Sequence, residues 1–152
     1  MGESNADIYN LGRFLEAQNG GVAGSDYRRA LNELHNGQKV SHWMWYIFPQ
    51  IAGLGNSEYA KRYAIQDLSE AHAYLAHRIL GGRLVESSEA VLNIDNKSAR
   101  DIFGATDSMK LRSSMTLFEY VAGRDSIFAK VLEKFYGGER DDRTIAILNR
   151  NS

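Results

Sequence analysis

The chain has 152 residues, 43% hydrophobic and 24% charged, a size and balance that suit one globular domain and argue against extended disorder. Its formal net charge is −1 at pH 7 and its sequence pI is about 6.4, which disfavours nucleic acid as the main partner, because phosphate-backbone binding goes with a basic excess. The absence of cysteine removes disulfides, thiolate metal sites and cysteine nucleophiles.

Residues 1–6 read as a loose tail on a single helical domain spanning 1–152. The opening MGESNADIYN has neither a basic n-region nor an apolar h-region, and no apolar run approaches the roughly 20 residues that cross a bilayer. The expected location is the cytoplasm, without a membrane partner. Behind Asp7 as N-cap, Ile8, Leu11, Phe14 and Leu15 share one helical face. NGGVAG (19–24) reads as a flexible loop. Ser25 or Asp26 caps a second helix with Tyr27, Ala30, Leu31 and Leu34 inward and Gly37 as its stop. Ser41 opens a predicted two-turn helix that ends near Pro49, the one proline of the chain; the Phe48–Pro49 isomer stays open.

Ser57 caps a helix carrying Tyr59, Ala60, Tyr63 and Ala64, and Asp67 with Glu70 has capping-box spacing for a helix through Leu75. Residues 79–93 form another, with Leu84, Val91 and Leu92 inward and with Gly81 and Gly82 weakening its first turn. Asp107 or Ser108 opens a helix with Leu111, Met115 and Phe118 on one face. Asp125 caps the next, whose wide apolar face runs from Ile127 and Phe128 to Phe135 and Tyr136, before Gly137 and Gly138 end it. A short helix over 142–149 adds Ile145 and Leu148. No segment alternates with period two, so the predicted fold is all-α: one compact domain of seven to nine short helices.

Two stretches concentrate polar chemistry. In KVSHWMWYIFPQ (39–50), Lys39, Ser41, His42 and Gln50 surround an apolar plug that contains Trp43 and Trp45. A helix apolar all round is a core helix, whereas indoles and a histidine need polar partners and also suit a pocket wall. Both readings stand. In DSMKLRSSMTLF (107–118), Lys110, Ser113 and Ser114 share a face, and mid-helix hydroxyls go against local preference. A lysine with hydroxyls suits a phosphate or carboxylate; small hydroxyls equally permit close helix packing, and a serine–lysine nucleophile is a minor option. His72 and His77 lie five apart, roughly 140° around a helix, so no metal and no cofactor is expected. GLG (53–55), ahead of the helix capped by Ser57, resembles an anion-receiving helix start but is more simply a loop. Glu58, Glu70 and His42 are the acid/base candidates.

RFLEAQ, GQKVSHWMWYIFPQIAGLGNSEYAKRYAI, EAHAYLAH, RLVES, IFGATDSMKLRSSMTLF and FYGGERDDRTIAIL resemble, over about residues 7–149, a bacterial and fungal family catalogued as domain of unknown function 1810. Arg78 and Ala105–Thr106 depart from the family at turn positions where proline is usual. The resemblance implies a compact helical domain and marks both polar stretches as hallmarks, without naming a reaction. The order SEYAKRYAI, EAHAYLAH–LGGRL and SSMTLF–VLEKF is also similar to the helical YbiA-like proteins, which resemble N-glycosidases of nucleotide-derived compounds. That similarity implies Glu58 or Glu70 as acid/base, a tryptophan stacked on a base, and Lys110 or Arg62 at a phosphate. The expected function is binding of a small phosphorylated or nucleotide-derived ligand between SHWMWYIFPQ and KLRSSMTLF, with N-glycosidase-like hydrolysis as an extension. The alternative is a non-catalytic protein-interaction domain, and the sequence fixes no oligomeric state.

Overall fold

A computed structural model describes residues 7–21 and 25–150; the expected tail at 1–6 and residues 22–24 of the glycine-rich loop lie outside it. The described residues form nine α-helices: α1 (Gly12–Glu16), α2 (Tyr27–His35), α3 (Met44–Ile47), α4 (Glu58–Arg62), α5 (Leu68–Ala76), α6 (Arg78–Leu92), α7 (Ala99–Ala122), α8 (Ile127–Tyr136) and α9 (Asp142–Arg150). A π-helical turn, Ala17–Gly21, extends α1 and takes up the first half of the predicted loop. The fold is all-α, and the described residues hold only an isolated parallel bridge between Ile51 and Ile65. None of these helices is long and apolar enough to cross a membrane.

One core unites the helices. Phe14, Leu34, Trp43, Tyr46, Phe48, Tyr74, Phe118 and Phe128 are all fully enclosed. The rings form a chain of tilted and edge-on contacts, from Tyr46–Tyr63 (5.5 Å) and Tyr63–Phe14 (5.8 Å) through Phe14–Tyr74 (5.0 Å) to Tyr74–Phe118 (5.5 Å). The long α7 carries the centre: it packs most extensively on α8, and also on α5 and α9. Phe48–Pro49 is trans, because no described peptide bond is cis.

Short-range capping explains most helix starts. The side chains of Asp26, Ser57 and Asp67 accept the backbone N–H of Arg29, Ala60 and Glu70 at 2.9, 3.1 and 2.9 Å, each contact worth about 1 kcal/mol. Several expected starts move. Asp7 accepts the N–H groups of Leu11 and Gly12 (2.7 and 2.8 Å), so α1 begins one turn late, and Ile8 is 76% exposed instead of inward. His77 Nδ1 caps α6 by accepting from Ile79 and Leu80 (both 3.2 Å). Ser126, not Asp125, caps α8. Neither Asp107 nor Ser108 opens α7, which starts at Ala99 behind a reciprocal Ser98–Asp101 capping box and bends at Gly104 (φ 84°, ψ 168°).

Gly81 is where glycine itself is required. A Cβ there would lie 2.0 Å from the Leu75 carbonyl oxygen, so only glycine lets the first turn of α6 sit against the end of α5. What reads locally as a weak helix start is a close-packing position.

Candidate functional site

The two polar stretches meet, but only some of their residues face a common hollow. The first half of KVSHWMWYIFPQ turns inward onto Glu33 of α2. Glu33 Oε1 accepts from the backbone N–H of Val40 (2.8 Å) and Ser41 (3.0 Å) and from the Trp43 indole (2.8 Å), while the Ser41 hydroxyl donates to Oε2. Burial alone would raise the Glu33 carboxyl, but these hydrogen bonds outweigh it and hold the group at about 2. Ser41 is therefore engaged by Glu33 and caps nothing. The two-turn helix predicted from it shrinks to the single turn of α3, whose N-cap residue, Trp43, makes no side-chain cap. Lys39 Nζ lies 2.8 Å from Asp107, donates to the Ser41 carbonyl (2.6 Å) and sits 5.0 Å above the Trp43 ring.

The second half of the motif forms one wall of a cleft of about 880 Å³. Trp45 and Gln50 face it from the first stretch; Lys110, Arg112 and Ser113 face it from α7. The segment 51–55, the residues after α4, and the turn between α8 and α9 close the remaining sides. Two backbone hydrogen bonds of 2.8 Å, from Ala52 N to Ile65 O and from Ile65 N to Gln50 O, lock two of these segments together. Arg13 braces them from behind. It donates to the carbonyls of Arg62 (2.7 Å) and Ala64 (2.8 Å) and pairs with the buried carboxylate of Glu70 (2.7 Å), which also accepts from Gln66 N (3.0 Å).

The cleft is electrically mixed. Lys110 Nζ lies 4.3 Å over the Trp45 ring and 3.4 Å from Asp107, so its ammonium is held at the mouth by a cation–π contact and a long ion pair. Tyr59 meets the same indole edge-on at 5.4 Å. Arg112 Nη1 reaches the exposed carboxylate of Glu139 at 3.3 Å, while no acceptor among the described residues meets its buried Nε. Arg140 is committed to Glu119, donating to both of its oxygens. Arg143 Nη2 donates to the Leu54 carbonyl (3.2 Å) across the rim. Ser113 Oγ is 3.0 Å from Asp141 Oδ2 and 3.2 Å from the Met109 carbonyl. Thr116 Oγ1 donates back to the Arg112 carbonyl (2.8 Å) and accepts from Asp141 N (3.0 Å). The mid-helix hydroxyls thus fasten the α8–α9 turn to α7.

Of the residues singled out from sequence, the cleft collects Trp45, Gln50, Lys110 and Ser113. It leaves out Lys39, Ser41 and Trp43, which serve the Glu33 and Asp107 contacts. His42 is exposed outside the cleft, its carbonyl receiving the Tyr46 hydroxyl at 3.1 Å. Arg62 is exposed at the end of α4, 6.0 Å from the Tyr59 ring, and Ser114 is fully enclosed with no hydrogen-bond partner among the described residues. Glu58 lies exposed in the first turn of α4, and Glu70 is only 2% exposed and spent on Arg13. Neither is positioned as an acid or base at the cleft. Ser113 bonds to Asp141 rather than Lys110, so no serine–lysine pair is assembled. Missing from the expected set were Arg112, Arg140, Asp141 and Arg143. Arg112 lies within the DSMKLRSSMTLF stretch already singled out, and the signal for the other three was the charge run ERDDR (139–143), which in isolation reads as a solvated turn. No group of three His, Asp or Glu side chains among the described residues gathers around one point that would hold a metal.

The model of the family described as "Protein of unknown function (DUF1810)" matches residues 8–148. The chain belongs to the DUF1810 family. Its fold is shared with the crystal structure of the conserved hypothetical protein Rv1873 from Mycobacterium tuberculosis. The two are 46% identical with a TM-score of 0.87, and the alignment covers 94% of this chain and 99% of that one. No protein of curated function matches. Membership of DUF1810 accounts for the long motif resemblances, and the chemistry of the cleft has to be argued from its side chains.

Proposed function

We propose that the cleft binds a small phosphorylated or nucleotide-derived ligand, with Lys110 and Arg112 receiving its oxyanion. The observation that carries this reading is the state of the two cations. Among the described residues, the one carboxylate paired with Lys110 is Asp107, at a long 3.4 Å, beside the Trp45 ring. Arg112, paired at 3.3 Å with the exposed Glu139, also has a buried Nε–H that no acceptor among the described residues meets. An unmet buried donor costs about 1–3 kcal/mol, which a bound oxyanion offsets once the guanidinium turns that enclosed edge to the cleft. The Nε edge of a guanidinium also matches two oxygens of a phosphate or carboxylate. A hollow of about 880 Å³ falls within the range of small-molecule sites.

Binding is favoured over N-glycosidase-like hydrolysis, because Glu58, Glu70 and His42 all lie away from the cleft. In the protein-interaction alternative the aromatic stretch is core or a binding hot spot; Trp43, Tyr46, Ile47 and Phe48 are buried and offer no hot spot, so a partner would have to dock elsewhere. The test is calorimetry and thermal melting with nucleoside monophosphates and sugar phosphates. At a ligand concentration of about 100 times Kd, linkage adds roughly 2.7 kcal/mol of stability, an easily measured shift. Arg112→Gln and Lys110→Gln are expected to abolish it while keeping the fold. If none of these compounds binds or shifts the melt, the reading is wrong.

A further inference from the structure

Among the carboxylates lining the cleft, Asp141 is the one held by three hydrogen bonds. Glu139 and Asp142 also line the cleft among its cations, but no ion pair joins Asp141 to any of those cations among the described residues, where Lys110, Arg112 and Arg140 are engaged by Asp107, Glu139 and Glu119. It is also held firmly. Oδ2 accepts from Ser113 Oγ (3.0 Å), Thr144 Oγ1 (2.5 Å) and Thr144 N (3.2 Å), so α7 and the first turn of α9 fix its orientation together. Oδ1 meets no donor among the described residues. An immobilised carboxylate oxygen in a cleft that also holds Lys110 and Arg112 repels further negative charge and attracts hydroxyl hydrogens.

We infer that Asp141 is a specificity-determining residue that accepts hydrogen bonds from sugar hydroxyls, so that the site selects ribose-bearing monophosphates over deoxyribose analogues and over inorganic phosphate. This rests on the cleft being an oxyanion site, as proposed above, and adds the chemistry of what is attached to the oxyanion. A hydroxyl-to-carboxylate hydrogen bond is charge-assisted, and a pocket built around it discriminates strongly against the analogue that lacks the hydroxyl. The ribose form is therefore expected to bind about ten- to a hundredfold more tightly than the deoxy form.

The test is isothermal titration of the full chain with AMP, 2′-deoxy-AMP and inorganic phosphate, using the wild-type protein, Asp141→Asn and Arg112→Gln. Asparagine keeps a side-chain oxygen for the start of α9, so Asp141→Asn is expected to remain folded. The expected result is a strong preference of the wild type for AMP over 2′-deoxy-AMP, its loss in Asp141→Asn with phosphate affinity kept, and weakening of all three ligands in Arg112→Gln. Equal wild-type binding of AMP and 2′-deoxy-AMP overturns the inference and leaves the oxyanion site standing. An undiminished preference in Asp141→Asn also overturns it. Absence of binding by every probe overturns the oxyanion site as well. The wild-type comparison of the two nucleotides needs no variant, so an unfolded Asp141→Asn protein does not rescue the idea.

Discussion

Glu33 shows how much one side chain organises. Five donors converge on its carboxylate; beside Arg29 of its own helix, four come from residues 40–43 and set the path of that segment, including the inward pose of the Trp43 indole. Hydrogen bonds to a charged group are worth about 1.5–3 kcal/mol each at most, so Glu33→Gln, which keeps the shape but loses the charge, is expected to destabilise the fold by about 2 kcal/mol in urea unfolding. The pH dependence follows from the sign of the shift. The folded value, about 2, lies below the ordinary glutamate value near 4.3. The unfolded chain therefore binds the proton first, and the contribution of Glu33 is complete above that ordinary value and disappears as pH falls towards 2. Unfolding measured at pH 7, 4 and 3 should show this acid loss in the wild type and a shallower one in Glu33→Gln. Equal slopes would remove Glu33 from the account of acid stability.

At the scale of the element, adjacent glycines at the start of α6 make opposite demands. Around Gly82 an added Cβ meets nothing within 4 Å, whereas at Gly81 it meets the Leu75 carbonyl oxygen at 2.0 Å. Gly82→Ala should stabilise the protein by about 0.8–1 kcal/mol through helix propensity alone. Gly81→Ala should destabilise it by about 1–3 kcal/mol, because α5 and α6 must separate. Thermal melts of the two single variants check this pair directly, and changes of the same sign would refute the close-approach argument. The bend of α7 has a similar logic. Gly104 adopts a backbone region essentially reserved for glycine, and the bend lets a capped segment, Ala99–Phe103, precede the straight run that presents Lys110, Arg112 and Ser113.

At the scale of the whole molecule, the cleft is a joint between distant parts of the chain, and its far wall is held from behind by Arg13. The Arg13–Glu70 pair is mostly enclosed, with 14% and 2% of the two side chains exposed, and Arg13 also supports the carbonyls of Arg62 and Ala64. Removing one partner of such a pair leaves the other charge buried, at a cost of about 3–5 kcal/mol. Arg13→Ala is therefore expected to lower the melting temperature and to weaken AMP binding together. Arg112→Gln should lower affinity with little change in the melt of the free protein. Parallel melting and titration of the two variants separate support of the cleft from contact within it, and an Arg13→Ala protein of normal stability would show that the brace is not needed.

The all-α class, the apolar faces of α2 and α8, and the caps at Asp26, Ser57 and Asp67 were legible in the sequence. Each of these depends on interactions reaching no more than about one helical turn along the chain. The same local rules misplaced the starts of α1, α7 and α8 by choosing among several nearby capping residues, and they assigned Ser41 to a helix that a glutamate on α2 pre-empts. The cleft lay beyond their range. Trp45 and Lys110 are brought within 4.3 Å only by folding, and ERDDR becomes a wall only because the hydroxyls of Ser113 and Thr116 clasp the α8–α9 turn. Sequence determined which segments coil and which faces hide from water. Tertiary packing decided which of the polar groups were spent on one another and which were left facing a common hollow, because that choice depends on distances between residues far apart in the chain.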